Sequence, residues 1–215
     1  MDINLLVREN IRKLKPYSSA RSLYTKGLLL DANESAYQNP NDSVGLNRYP
    51  DGSNYSIREL LASKFQLKAE NCAVGNGSDE LLDILIRIFC EPGEENILIT
   101  SPTYGMYEVL ARINDVRVID IPLLKDFTLN VPVILNKIEY AKIIFLCRPN
   151  NPTGNVFQKA DILKILQSQC IVVVDEAYAE FMSEESLVPE LANYPNLVIL
   201  RTLSKAYAMA GVRLG

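Results

Sequence analysis

The sequence predicts an α/β fold in which a mainly parallel sheet is flanked by helices. Short apolar runs rich in β-branched residues alternate with segments whose apolar residues have helical spacing. The run Ile171-Val172-Val173-Val174 is apolar at every position, which is typical of a central strand covered on both faces. At 215 residues, 48% of them hydrophobic, the chain is long enough to bury one sizeable core.

The elements follow in chain order. Helical spacing predicts three helices, at residues 57–65, 81–89 and 162–166. Apolar runs predict four strands, at residues 97–100, 142–147, 170–174 and 197–200. Residues 35–55, rich in Asn, Pro, Ser and Tyr, are predicted to form one long irregular stretch and are a candidate functional loop.

Composition excludes several kinds of chemistry. Lys and Arg number 22 against 26 Asp and Glu, so the net charge of -4 predicts no polyphosphate-binding surface and no nucleic-acid partner. The chain has no histidine, which excludes a Ser-His-Asp triad, a His-ligated zinc and imidazole acid–base catalysis. We predict no metal site. Proton transfer must fall to Lys, Asp, Glu, Tyr or Cys.

The cysteines and the N-terminus predict a cytoplasmic protein without a membrane partner. Four widely spaced cysteines lie beside apolar runs and are interpreted as reduced core thiols: Cys72, Cys90, Cys147 and Cys170. Charged residues at positions 8, 9, 12 and 13 leave no apolar stretch for a signal peptide, and nowhere do 18 apolar residues run together.

Two charged residues follow predicted strands and are candidates for chemistry. Asp175 comes directly after an apolar strand, whose carboxyl end is where ligands bind in such sheets; the alternative is a carboxylate that only caps the next turn. Lys205 follows the last predicted strand, and its surroundings are small and apolar: Ala206, Ala208, Met209, Ala210 and Gly211. Such a lysine is suited to form an imine with a carbonyl group, and a solvated surface lysine is the alternative.

Three further segments have a structural and a functional interpretation. Gly75-Asn76-Gly77-Ser78-Asp79 precedes a predicted helix, so its backbone N–H groups are suited to phosphate, although Ser78 alone would serve as an N-cap. Tyr104 follows a strand and is suited either to stack on a planar ligand or to pack on the core. Residues 148–154, which include Asn151, would ordinarily form a turn.

Together these features resemble the fold-type I aminotransferases of the class II subgroup, which use pyridoxal 5'-phosphate. The resemblance covers essentially the whole chain through seven motifs in family order: NIRKLKPY at 10–17, NRYP at 47–50, GNGSDE at 75–80, PTYGMY at 102–107, NNPTG at 150–154, VDEAY at 174–178 and RTLSKAYAMAGVRLG at 201–215. Within the family, the motifs are most similar to those of enzymes that act on histidinol phosphate.

The resemblance implies a role for each matched residue. Lys205 is implied to bind the cofactor aldehyde and to move the substrate proton, and Asp175 to pair with the pyridinium nitrogen. Two side chains would hydrogen-bond the ring 3-oxygen: Asn151 and Tyr178, of which Tyr178 is also implied as catalytic. Tyr104 would stack on the ring. The residues implied around the cofactor phosphate are Gly77, Ser78, Thr202, Ser204, Arg213 and Tyr49 of the partner subunit. Tyr17 and Tyr49 are implied at the substrate, with Tyr17 helping to hold its phosphate.

The implied activity is transamination between L-histidinol phosphate and 2-oxoglutarate in histidine biosynthesis, by a homodimer acting on small molecules. A threonine-phosphate decarboxylase-like enzyme with the same cofactor is one alternative. Another is a truncated, non-catalytic module of this fold, although the complete lysine, aspartate and arginine set argues against it.

The resemblance also implies a domain division and a backbone feature. Residues 1–30 would form an N-terminal arm and part of a small domain, and residues 31–215 the cofactor-binding large domain. Family members continue into a C-terminal small domain with the arginine for the substrate carboxylate, so a chain ending at Gly215 is expected to bind cofactor weakly and to turn over negligibly. The Asn151–Pro152 bond is expected to be cis, as in related aminotransferases.

Overall fold

The computed structural model describes residues 1–15, 17, 30 and 32–215. The chain forms two compact units, one made of Met1–Lys13 with Gly75–Gly215 and the other of Leu14–Val74. Residues 18–29 and 31, which flank the domain boundary predicted at residue 30, lie outside the described residues. The division into an N-terminal arm and a large domain therefore stays a prediction.

Five parallel strands form one sheet in the larger unit, in the spatial order β2-β1-β3-β4-β5. The strands are β1 (Asn96–Ile99), β2 (Arg117–Asp120), β3 (Ile143–Cys147), β4 (Ile171–Asp175) and β5 (Leu197–Leu200). This confirms the predicted fold class and all four predicted strands. The register pairs Cys147 with Asp175 and Asp175 with Leu200, so β3, β4 and β5 end level at one edge.

Strand β2 was not among the predicted strands. It lies at the edge of the sheet, and its sequence RVID places two half-buried apolar residues between exposed charged ones. An edge strand buries fewer side chains than a central one, so its apolar pattern is too short to be distinguished from a loop.

In the described part of the chain the helices are α1 (Glu9–Arg12), α2 (Tyr55–Phe65), α3 (Ser78–Phe89), α4 (Met106–Ile113), α5 (Val131–Lys137) and α6 (Lys159–Ile165). Short 3-10 helices lie at Ile3–Leu5, Ala69–Asn71, Ile138–Tyr140, Ala179–Phe181, Val188–Ala192 and Ala210–Val212. The three predicted helices are confirmed as α2, α3 and α6. Each begins two or three residues earlier than predicted, because the polar first turn carries no apolar pattern.

Helices cover both faces of the sheet. Alternate strand residues such as Leu98, Ile144 and Val172 pack with α5 and α6 on one face. Their neighbours Ile97 and Ile143 pack with α3 and α4 on the other. Because successive side chains of a strand point to opposite faces, strands β3 and β4 must be apolar throughout, and every residue in them is buried.

Three of the four cysteines are confirmed as core thiols, and none of the four is in a disulfide. Cys90, Cys147 and Cys170 are buried in the larger unit, and burial raises the pKa of Cys90 and Cys147 to about 12. The prediction was wrong for Cys72, which is partly exposed. Cys72 follows a 3-10 helix in the smaller unit, where few side chains are buried.

Two further predictions concern irregular backbone. Between residues 32 and 54 the chain has turns and bends but no helix or strand, as predicted for residues 35–55 except at Tyr55, which begins α2. The Asn151–Pro152 bond is cis, also as predicted. Among the described residues, no helix has the length and apolar character needed to cross a membrane.

Candidate active site

An open pocket of about 160 Å³ lies at the carboxyl ends of the central strands. Its lining residues are Ser78, Asp79, Tyr104, Cys147, Asn151, Asp175, Ala177, Tyr178, Thr202, Ser204, Lys205, Ala210 and Arg213. The pocket is next to the point where β1 has β2 on one side and β3 on the other, which is the usual ligand site of an open parallel sheet. Nine of the residues predicted to form the site therefore meet in one pocket.

Asp175 is the buried carboxylate of the pocket. It is the last residue of β4 and is 3% exposed. Its Oδ1 accepts a hydrogen bond from the Ala177 N–H at 3.0 Å, and its Oδ2 accepts one from the Tyr107 hydroxyl at 2.8 Å. Burial raises the pKa of Asp175, while both hydrogen bonds act in the opposite direction. Asp175 caps the turn and also lines the pocket, where a cation would stabilise its carboxylate. Its role toward a ligand stays a prediction.

Lys205 lies at the open side of the same pocket. Its Nζ is 5.4 Å from the centroid of the Tyr178 ring, within the range of a cation–π contact. Lys205 and the small residues Ala206 and Ala208 are exposed, so the structure does not enclose the amine in an apolar environment as the sequence suggested. The reason is local, since the segment passes from turns into a short 3-10 helix that buries none of its own residues.

The N-terminus of α3 and Arg213 form one end of the pocket, a candidate anion-binding end. The N-cap is Gly77 and the helix begins at Ser78, so the interpretation of Ser78 as the N-cap is wrong. Gly77 has a φ of +82°, and a Cβ at this position would lie 2.5 Å from Nη2 of Arg213. Only glycine allows both this backbone conformation and the close approach of the guanidinium. Helix N-terminal N–H groups and a guanidinium at one place are suited to bind a phosphate group.

The hydroxyl groups of Thr202 and Ser204 lie at this same end of the pocket. Thr202 Oγ1 donates to Ser204 Oγ at 3.0 Å, and Arg213 Nη1 donates to Ser204 Oγ at 3.5 Å. The backbone of the last residues holds the arrangement together: Gly215 and Gly75 exchange N–H···O bonds of 3.2 and 3.0 Å, and the Leu203 N–H donates to the Leu214 carbonyl at 3.0 Å. Residues 213–215 thereby connect the loop before α3 to the loop after β5.

Replacing Gly77 with alanine is expected to weaken binding of pyridoxal 5'-phosphate by about 10- to 150-fold. The added Cβ displaces the Arg213 guanidinium, and a hydrogen bond to a charged group contributes about 1.5–3 kcal/mol. Fluorescence or absorption titration measures the dissociation constant. Gly105→Ala is the matched control, because a Cβ on Gly105 meets no atom within 4 Å and the φ of -65° suits alanine. Equal cofactor affinity of the Gly77→Ala variant and the Gly105→Ala control would contradict phosphate binding beside Gly77 and Arg213.

The two adjacent asparagines after β3 have different environments. Asn150 is buried: its side chain donates to the Pro102 carbonyl at 2.9 Å and to Thr153 Oγ1 at 2.7 Å, so it holds neighbouring loops together. Asn151 lines the pocket, and the hydrogen bond predicted between its side chain and a ring oxygen stays a prediction. The turn thus uses one amide for structure and leaves the other for a ligand.

Tyr104 forms one wall of the pocket. Its hydroxyl donates to Asp79 Oδ1 at 3.2 Å, and its ring meets the Tyr107 ring edge to face, with centroids 5.5 Å apart. Burial and the nearby Asp79 carboxylate raise the pKa of Tyr104 to about 12, so the phenol stays neutral. A neutral ring held at both ends is suited to stack on a planar ligand.

Three residues at the site were not among the predicted site residues: Asp79, Tyr107 and Cys147. Asp79 and Tyr107 lie inside the motifs GNGSDE and PTYGMY, and the three-residue spacing of Tyr104 and Tyr107 at a helix start is a signal that both side chains share a face. Cys147 ends β3, and it was interpreted only as a core thiol. Its side chain lines the pocket with a pKa of about 12, so the thiol is neutral there.

Tyr17 and Tyr49 belong to the smaller unit and are described within it. Their side chains are 93% and 67% exposed. The Tyr49 N–H donates to Glu34 Oε1 at 2.6 Å, and Arg48 Nη1 lies 2.9 Å from Glu34 Oε2, so one buried carboxylate holds the NRYP turn. The roles implied for both tyrosines stay predictions.

The donor set of the pocket fits a planar, phosphorylated pyridine aldehyde. The buried Asp175 would pair with a protonated ring nitrogen, and the amide of Asn151 and the hydroxyl of Tyr178 would meet a ring oxygen. The space that glycine leaves beside Arg213 suits a phosphate group, and the Lys205 amine is available to an aldehyde.

The fold and the pocket together define a domain of the aminotransferase type. The sequence profile described as aminotransferase class I and II matches residues 22–215, and the chain belongs to this family. Among curated relatives, the histidinol-phosphate aminotransferase of Flavobacterium johnsoniae is 50% identical over 221 residues, which cover 100% of this chain and 62% of that protein. The chain thus spans about 62% of the length of this relative.

Two solved structures have a similar fold. The histidinol-phosphate aminotransferase of Sinorhizobium meliloti in complex with pyridoxal-5'-phosphate superposes with a TM-score of 0.69 at 26% identity, over 78% of this chain and 47% of that one. The L-threonine-O-3-phosphate decarboxylase of Porphyromonas gingivalis superposes with a TM-score of 0.68 at 26% identity, over 78% of this chain and 52% of that one.

Proposed function

We propose that the chain binds pyridoxal 5'-phosphate in the pocket and performs transamination between L-histidinol phosphate and 2-oxoglutarate. The observation that carries the proposal is the meeting of Asp175, Lys205 and the Gly77–Arg213 anion site in one pocket. The choice of substrates rests on the 50% identity to a histidinol-phosphate aminotransferase and on the family motifs.

Each side chain has a defined task in this reaction. The cofactor, when bound, accepts the electrons of the substrate bond that breaks. Asp175 would pair with the protonated ring nitrogen, and Lys205 would take the proton from the substrate α-carbon and later deliver it to the cofactor carbon. Ser78, Ser204 and Arg213 would bind the phosphate and thereby set the position of the ring. Tyr104 would pack on the ring face and exclude water from it. Correct orientation of reacting groups contributes about 7–11 kcal/mol in favourable cases.

The decarboxylase from Porphyromonas gingivalis supports a second candidate function, the decarboxylation of threonine phosphate. The two reactions share the fold, the cofactor and a phosphorylated substrate, so the pocket described above is compatible with both. The segments Arg201-Thr202-Leu203-Ser204-Lys205 and Leu14-Lys15-Pro16-Tyr17 favour the transaminase.

Isotope transfer distinguishes the two reactions. The protein loaded with cofactor is incubated with L-histidinol phosphate labelled with ¹⁵N at the α-amine, together with 2-oxoglutarate. We expect ¹⁵N-glutamate, measured by mass spectrometry over hours so that slow turnover is still detected. A parallel incubation with carboxyl-labelled O-phospho-L-threonine should release no labelled CO₂. Release of CO₂ without labelled glutamate would instead support the decarboxylase, and a cofactor-loaded protein with neither product would support a non-catalytic module.

We further propose that the protein is a cytoplasmic homodimer in which Tyr49 of the partner subunit reaches the cofactor phosphate. The support is the resemblance of the NRYP motif to that of dimeric family members. A mass of twice 24.1 kDa by light scattering is the expected result for this chain.

A further inference from the structure

Tyr107 is fully buried behind the pocket, and its hydroxyl points at Asp175. The ring stacks parallel on Phe145, with centroids 5.0 Å apart and 9° between the planes. Its hydroxyl donates to Asp175 Oδ2 at 2.8 Å. A buried hydroxyl is costly without a hydrogen-bond partner, so this contact explains a tyrosine where phenylalanine would pack equally well.

Tyr107 and the backbone together determine how Asp175 is oriented. The Ala177 N–H donates to Oδ1 at 3.0 Å, so each carboxylate oxygen receives one donor and the plane of the carboxylate is set from both sides. Each oxygen keeps lone pairs for a further donor, and Asp175 lines the pocket. The two donors also stabilise the charged carboxylate, whereas its burial destabilises it.

We propose that Tyr107 is a positioning residue, which holds Asp175 ionised and oriented toward the ring nitrogen of the pyridine cofactor. The inference rests on the proposed function, because it needs the cofactor in this pocket. Tyr107 never touches the cofactor in this arrangement and acts only through Asp175. Burial raises the pKa of Tyr107 well above its ordinary value, so the hydroxyl remains a donor at every pH at which the protein is used.

The test compares two cofactors that differ at one atom. Pyridoxal 5'-phosphate has the ring nitrogen, and 1-deaza-pyridoxal 5'-phosphate has a C–H group in its place. The wild-type protein should bind the first more tightly, and Tyr107→Phe should reduce that preference by about tenfold, in keeping with the loss of one hydrogen bond to a charged group. Loss of packing alone would weaken both cofactors equally and leave the preference unchanged. Tyr194→Phe is the matched control, since the Tyr194 hydroxyl contacts Gln167 and not the pocket.

Each outcome decides a question. An unchanged preference in Tyr107→Phe overturns the inference. In an Asp175→Asn background, Tyr107→Phe should change the preference no further. A second, independent loss of preference in this background also overturns the inference.

Failure of the wild-type protein to bind the cofactor overturns the proposed function as well as the inference. Binding of both cofactors without any preference overturns only the pairing of Asp175 with the ring nitrogen, and the inference with it. If Tyr107→Phe does not fold, 3-fluorotyrosine at position 107 is the second variant. Its more acidic hydroxyl is a stronger donor and its ring differs by one fluorine in place of hydrogen, so it should increase the preference; no increase overturns the inference.

Discussion

Replacing Lys205 with alanine is expected to abolish covalent attachment of pyridoxal 5'-phosphate and to slow transamination by at least about 10²- to 10⁴-fold, the usual contribution of a group that transfers protons. Borohydride reduction of the loaded wild-type protein should fix the pyridoxyl group to Lys205 and to none of the other ten lysines. We expect this selectivity because Lys205 lines the pocket in the loop after β5, the strand next to β4. Peptide mapping by mass spectrometry locates the label.

Lys164→Ala is the matched control for this experiment. Lys164 lies in α6, where it pairs with Asp161 at 2.8 Å on the surface, and its removal should leave both labelling and rate unchanged. A label on another lysine in the wild-type protein, or a Lys205→Ala variant that is still labelled, would remove the mechanism.

Asp175→Asn is expected to reduce transamination by about two to three and a half orders of magnitude. The carboxylate is 3% exposed, and removing one partner of a buried charge pair costs about 3–5 kcal/mol. Asparagine keeps the size of the side chain and its bond to the Ala177 N–H, but it leaves the ring nitrogen without a negative partner. Steady-state rates and the dissociation constant of the cofactor measure the effect. Asp126→Asn, at an exposed turn, should change neither quantity.

The same substitution should stabilise the protein without cofactor, and the gain should grow with pH. Burial raises the pKa of Asp175 above its ordinary value of 3.8, so the folded state holds a proton that the unfolded state has lost. The free energy of unfolding therefore falls as pH rises from about 3.8 through the raised pKa, and asparagine removes this loss. Thermal unfolding of both proteins at pH 4 and pH 8 tests the sign. A wild-type protein that is more stable than Asp175→Asn at pH 8 would contradict it.

The opposite effects on rate and on stability have one cause. A carboxylate buried at a strand end is unfavourable until a cation pairs with it, so the protonated ring nitrogen of the proposed cofactor would compensate a cost that folding incurs. Enzymes commonly lose stability at such sites. Tyr107 and the Ala177 N–H reduce the cost by donating to both oxygens.

The fold was predictable where burial on two faces leaves a continuous apolar pattern. Strands β3 and β4 are buried at every residue, and the sequence Ile171-Val172-Val173-Val174 reveals this directly. Strand β2 was not predicted, because it has only four residues and is half exposed at the edge of the sheet. Helices α4 and α5 were not predicted either.

The sequence by itself determined the class of fold and most of the pocket, because residues directly after parallel strands and before α3 must meet at one sheet edge. Only the tertiary structure decided how those residues are held. It brought Tyr107 to Asp175 across 68 positions, placed Arg213 against Gly77, and separated the structural Asn150 from the pocket residue Asn151. These contacts join residues distant in sequence through side-chain geometry, which no local pattern encodes.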